Sequence, residues 1–103
     1  MLNIYNDGNR ITAAICCDID HHAARELRML LENLISVSRP ETLIIDLEKV
    51  TFMDSSGIGL LMGRLRSLRE YGGTLIIKNA NSHIATVIKM SGLTENLIEG
   101  VNV

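Results

Sequence analysis

Aromatic residues are almost missing from this chain: its 103 residues include no Trp, one Phe and two Tyr. Stacking on bases or sugars usually relies on aromatic platforms, so no nucleic-acid ligand is expected. Proline occurs once, and the only two cysteines, Cys16 and Cys17, are adjacent. That is no disulfide framework, and a cytosolic setting is the economical expectation. An excess of either charge is also lacking. Ten Lys and Arg against 12 Asp and Glu leave a net charge of −2, without a basic footprint for nucleic acid or a polybasic membrane patch. No apolar run approaches the roughly 20 residues of a membrane span, and Met1 to Asp7 does not read as a signal peptide. Neither nucleic acid nor membrane is expected as a partner.

What is present suits a globular chain: 47% hydrophobic and 21% charged residues, with a length that fits one domain over 1–103. Asn6-Asp7-Gly8-Asn9 is a turn signal between the apolar stretches Leu2 to Tyr5 and Ile11 to Cys17, and predicts an antiparallel hairpin. Asp20 then precedes Ala24, Leu27, Leu31 and Leu34, whose spacing is that of one buried helix face; Asp20 fits its N-cap. Pro40 marks the exit.

Leu43 to Leu47 and Thr74 to Lys78 are short apolar runs of the kind found in strands covered on both sides. Between them, Ile58, Leu61, Leu65 and Leu68 form a second helical stripe that ends at Gly72-Gly73. A shorter helix is expected from about Ser82 to Met90, followed by a last turn toward Leu97-Ile98. The order β-β-α-β-α-β-α predicts an α/β fold. Its small mixed sheet has an antiparallel N-terminal hairpin followed by parallel strands, and helices cover it.

The most informative stretch is Phe52-Met53-Asp54-Ser55-Ser56-Gly57-Ile58-Gly59. It falls where a strand gives way to a helix, a place that presents backbone N–H groups and the positive end of a helix dipole. Capping alone explains Asp and Ser there. It does not explain Gly57 and Gly59, each less favourable than Ala in a helix by about 0.8–1 kcal/mol. Two missing side chains leave the serines accessible and permit close approach.

This octet resembles the signature of anti-sigma factor antagonists of the STAS domain class. Asp20-His21-His22-Ala23-Ala24, Leu43-Ile44-Ile45-Asp46-Leu47 and Met90-Ser91-Gly92-Leu93 are similar to further family segments in the expected order, so the likeness runs from about Asn3 to Ile98. It implies a partner switch. The unphosphorylated protein binds a partner that is both anti-sigma factor and serine kinase, which frees the sigma factor. Phosphorylation of the serine after the aspartate, here Ser55, ends binding, and a serine phosphatase resets the protein. The contact surface implied is Asp20, His21, His22, Asp54, Ser55, Ser56, Gly57 and Gly59. The expected protein is a monomeric, non-catalytic regulator without metal or cofactor. A stand-alone STAS scaffold that modulates another regulator is the alternative within the binding class.

Other constellations of residues in the chain fit their chemistries less well. Cys16, Cys17, His21 and His22 match no common zinc spacing, and neighbouring strand residues point to opposite faces. Ser55 or Ser56 with His83 could suggest a hydrolase, but the G-x-S-x-G elbow is missing. Asp46 or Asp54 could be a phosphorelay aspartate, although Asn6-Asp7-Gly8 reads as a turn and not as a cation-binding acidic cluster. Arg64, Arg66 and Arg69 read as a solvated helix face able to meet an acidic partner, with Arg66 and Glu70 spaced to pair. Met53, Met62 and Met90 read as core or interface fillers.

Overall fold

The computed structural model describes residues 1–98; residues 99–103, the end of the expected domain, lie outside the described residues. The chain opens with a hairpin of β1 (Leu2–Asp7) and β2 (Arg10–Ile15), paired antiparallel with Asp7 opposite Arg10. The two-residue loop is therefore Gly8-Asn9, one position later than the Asp-Gly pair suggests. Gly8 has φ +67°, the positive value needed at the first loop position of a type II′ turn.

Helix α1 (His21–Ser38) begins at Asp20, whose carboxylate accepts the Ala23 N–H at 2.8 Å. It stops at Arg39, which takes the left-handed conformation just before Pro40. Strand β3 (Thr42–Asp46), helix α2 (Ser55–Arg69), strand β4 (Thr74–Lys78) and helix α3 (Ser82–Met90) follow. A 3-10 turn at Thr94–Asn96 then leads into a two-residue β5 (Leu97–Ile98). So short a strand has no legible alternation, and the sequence predicts only the turn that leads to it.

The strands lie in the order β1-β2-β3-β4-β5, with every pair after the hairpin parallel. Each crossover steps one strand in the same direction, and right-handed crossovers then put all three helices on one face. The burial agrees. Ile11, Leu43 and Leu75 are in register, as are Ala13, Ile45 and Ile77. These residues share one core with Leu27 and Leu31 of α1, Leu61 and Leu68 of α2, and Ile84 and Ile88 of α3.

The opposite row, Thr12, Ile44 and Ile76, carries no helix among the described residues. Ile44 is only 7% exposed, while Thr12 and Ile76 are half-buried. The continuous apolar run of β3 therefore reflects a central strand screened by its neighbours on one face, and not helices on both.

Candidate functional site

The carboxyl ends of parallel strands gather the connecting loops of an open sheet at one edge, which is where α/β folds carry their sites. Here the loop after β2 and the loop after β3 run side by side. Ile19 and Met53 form a parallel bridge. The Ile19 N–H donates to Phe52 O at 2.9 Å, and the Asp54 N–H donates to Ile19 O at 3.1 Å. Asp18 completes the join: its Oδ1 accepts the Thr51 N–H (2.9 Å), the Thr51 hydroxyl (2.8 Å) and the Phe52 N–H (3.1 Å). Those bonds from Thr51, with the one from Phe52, hold the Asp18 carboxyl below its ordinary pKa. Asp18 was not singled out in the sequence. Its partners lie 33 and 34 residues away, and no local pattern signals such a link.

This join places the starts of α1 and α2 side by side. Asp54 is the N-cap of α2, accepting the Ser56 N–H at 2.8 Å. Ser55 is the first helical residue and is exposed. Its hydroxyl has no hydrogen-bond partner among the described residues. Ser56 is half-buried and its Oγ lies 3.4 Å from His21 Nδ1, an approach in which the tautomer decides which atom donates. The structure thus brings Asp20, His21, Asp54, Ser55 and Ser56 together. His22 is exposed beside them. The imidazole next to the serines is that of His21; His83 sits exposed on α3.

The two glycines have different reasons. Gly57 is buried, and a Cβ there would overlap Cγ and Sδ of Met53 and come within 3.2 Å of Ile19 Cγ2. Its missing side chain lets α2 sit on the joined loops. Gly59 is exposed, and a Cβ there would meet nothing within 4 Å. It lies in an open groove of about 360 Å³ between α1 and α2.

Arg64 departs from the expected solvated face. It is 5% exposed, with its guanidinium 3.1 Å from Glu32 Oε1 on α1 and 3.4 Å from Leu60 O. Its Nε is buried without a partner. Burial lowers the Arg64 pKa, and Glu32 opposes that shift. Ser67 donates to the same carboxylate at 3.0 Å, so one acid ties α1 to α2 twice. A long arginine reaches an interhelical acid that a shorter polar residue would miss, and single-helix periodicity cannot show this. Arg66 and Arg69 are exposed as expected, but the anticipated Arg66–Glu70 pair is not among the ion pairs of the described residues.

The competing chemistries find little geometry. Asp46 Oδ1 is occupied by the Glu48 N–H and the Asn79 amide, both at 3.0 Å. The Cys16 thiol lies 3.6 Å from Ala14 O, and burial raises the Cys17 thiol pKa, the direction of an inert thiol. No group of three His, Cys, Asp or Glu side chains able to hold a metal ion occurs among the described residues. Among the same residues, no helix is long and apolar enough to cross a membrane. Met53 is buried in the core, whereas Met62 and Met90 are exposed.

A family model described as the STAS domain matches residues 8–102, nearly the whole of this fold and its site. The chain belongs to that family. It is 38% identical over 76 residues to an anti-sigma F factor antagonist of Lysinibacillus sphaericus, a match covering 74% of this chain and 65% of that protein's length. It is 30% identical to an anti-sigma-B factor antagonist of Listeria monocytogenes, over 94% of this chain and 83% of that protein. The anti-sigma factor antagonist SpoIIAA has the same fold. Its unphosphorylated form superposes with a TM-score of 0.85 at 28% identity, covering 95% of this chain and 86% of that one. Its phosphorylated form, from Bacillus, does so with a TM-score of 0.78 at 28% identity, covering 95% and 89%.

Proposed function

We propose that this chain is a cytosolic anti-sigma factor antagonist that works by partner switching at Ser55. Unmodified, it binds an anti-sigma factor that is also a serine kinase, and the sigma factor is released. In the complex, Ser55 Oγ attacks the γ-phosphorus of ATP. The bond to the bridging oxygen breaks, ADP leaves, and the hydroxyl proton passes to a base on the kinase. A phosphatase later returns the serine by hydrolysis.

The observation that carries this reading is the Ser55 hydroxyl, exposed and unengaged at the first position of α2 on a braced loop. Relatives named as anti-sigma factor antagonists, one of them solved in both phosphorylation states, supply the partner class.

The physics suffices without refolding. A phosphate adds about −1.5 to −2 charge units and sits favourably at a helix N-terminus. Like charges about 4 Å apart repel by about 4 kcal/mol at an effective dielectric of about 20. Each ~1.4 kcal/mol is tenfold in affinity, so one phosphate against an acidic or tightly packed surface weakens binding by about 100-fold or more.

Binding to the cognate kinase, measured by calorimetry, tests the reading. Ser55→Ala should bind like the unmodified protein, and Ser55→Asp should bind about tenfold or more weakly. Equal affinity of the Ser55→Asp variant would remove the switch and favour a constitutive scaffold.

A further inference from the structure

The groove between the starts of α1 and α2 has one kind of charge on its walls. His21, Arg25 and Arg28 follow each other at i, i+4 and i+7 on α1, the spacing of one helix face. Ser56, Gly59 and Leu60 of α2 form the opposite wall. Neither Arg25 nor Arg28 has an ion-pair partner among the described residues, and no carboxylate lines this part of the groove. Arg28 is also shared with the next depression along the same crevice, of about 550 Å³, where the Glu32–Arg64 pair is already closed.

Gly59 adds a separate reason. An interior helical glycine is unfavourable relative to alanine, yet a Cβ at Gly59 would meet nothing in the protein. Its open floor serves no internal packing, unlike that of Gly57.

The geometry points to this crevice as the docking track for an acidic, extended segment of the partner protein, with carboxylates of that segment paired to Arg25 and Arg28 and its backbone passing over Gly59. Charge complementarity selects an anion, because guanidinium groups bind carboxylates in bidentate fashion. Two depressions in line along α1, joined at Arg28, select an extended chain over a compact ligand. The track starts at Ser56, next to the Ser55 hydroxyl. The inference rests on the proposed docking of the partner at that face, and would place the phosphate of Ser55 near the segment's own negative charge.

The test is a titration of isotope-labelled protein with an acetylated hexaglutamate peptide, followed by amide chemical shifts. Inorganic phosphate and a hexaserine peptide are parallel arms. Saturable shifts along Arg25, Arg28 and Gly59 are expected with hexaglutamate alone. They should weaken at least tenfold in R25E/R28E and at least fivefold in G59L, with both variants keeping the parent far-UV spectrum.

Unchanged peptide affinity in both variants overturns the inference. So does phosphate saturating the same amides as tightly as the peptide, which would make the groove a simple anion pocket. Repeating the titration on S55D separates the two readings. Weaker groove binding in S55D is expected, whereas hexaglutamate binding in the parent groove together with undiminished kinase binding by S55D supports the acidic track and rejects the Ser55 switch.

Discussion

Asp18 and Thr51, 33 residues apart, are joined twice: Asp18 Oδ1 accepts the Thr51 N–H at 2.9 Å and its hydroxyl at 2.8 Å. The pair fixes the loop after β2 to the loop after β3, and so sets where Asp54 and Ser55 begin α2. These bonds stabilise the carboxylate, so the folded-state pKa of Asp18 lies below its unfolded value. Between the two values the unfolded chain binds more protons, and stability rises with pH. The contribution is complete above the unfolded carboxylate pKa of about 3.9 and is lost as pH falls through the folded value. D18N should be less stable than the parent at pH 7, and the gap should narrow as pH is lowered below about 4. Urea denaturation across pH checks this, and a gap that stays constant with pH would contradict it.

Gly57 and Gly59 should respond in opposite directions to the same substitution. G57A pushes a methyl group into Met53, and overpacking a filled core costs about 1–3 kcal/mol. The gain in helix propensity offsets at most about 1 kcal/mol of that, so a net loss is expected. G59A meets nothing and should stabilise by about 0.8–1 kcal/mol. Denaturant midpoints of the two variants decide it. Matching gains at both positions would show that Met53 yields without penalty.

The Arg64–Glu32 pair is asymmetric, with side-chain exposures of 6% and 45%. Removing the acid alone strands a buried guanidinium. Such changes cost about 3–5 kcal/mol for a fully buried pair, and the solvent reaching Glu32 reduces this to roughly 1–3 kcal/mol. Replacing the cation by an apolar side chain of similar length removes the desolvation penalty along with the attraction. E32Q should therefore be clearly destabilised, while R64M stays within about 1 kcal/mol of the parent or exceeds it. Equal losses in both variants, read from thermal and urea unfolding, would show that the attraction outweighs the burial of the charge.

The element order up to α3 was legible because each of those elements announces itself locally, whereas the two-residue β5 does not. The Asp20 cap, the leucine spacing of α1, the Asp54-Ser55 turn and the glycines after α2 are all short-range signals, and the structure has them in those roles. The site was legible to the extent that it is one contiguous octet. Asp18, the His21–Ser56 contact and the interior placement of Arg64 were not, because each depends on a partner that crossover geometry brings near from about 30 residues away. Gly57 and Gly59 look alike in sequence, and only the neighbour that Gly57 meets, Met53, tells them apart.

Ser55 and Ser56 are adjacent hydroxyls, and the structure distinguishes them. Ser55 is exposed and its hydroxyl is unengaged among the described residues, whereas Ser56 is half-buried with His21 Nδ1 at 3.4 Å and its N–H capped by Asp54. A kinase must align the attacking oxygen with the γ-phosphate at near-contact distance. The outer hydroxyl can do this without disturbing the cap, while the inner one would have to leave its place against α1. Incubated with the cognate kinase and ATP, S56A should be phosphorylated at a rate within about threefold of the parent, and S55A at a rate lower by about a hundredfold or more. Fragmentation mass spectrometry of the parent should place the phosphate on residue 55. Phosphate on residue 56, or undiminished labelling of S55A, would move the acceptor to the serine that faces His21.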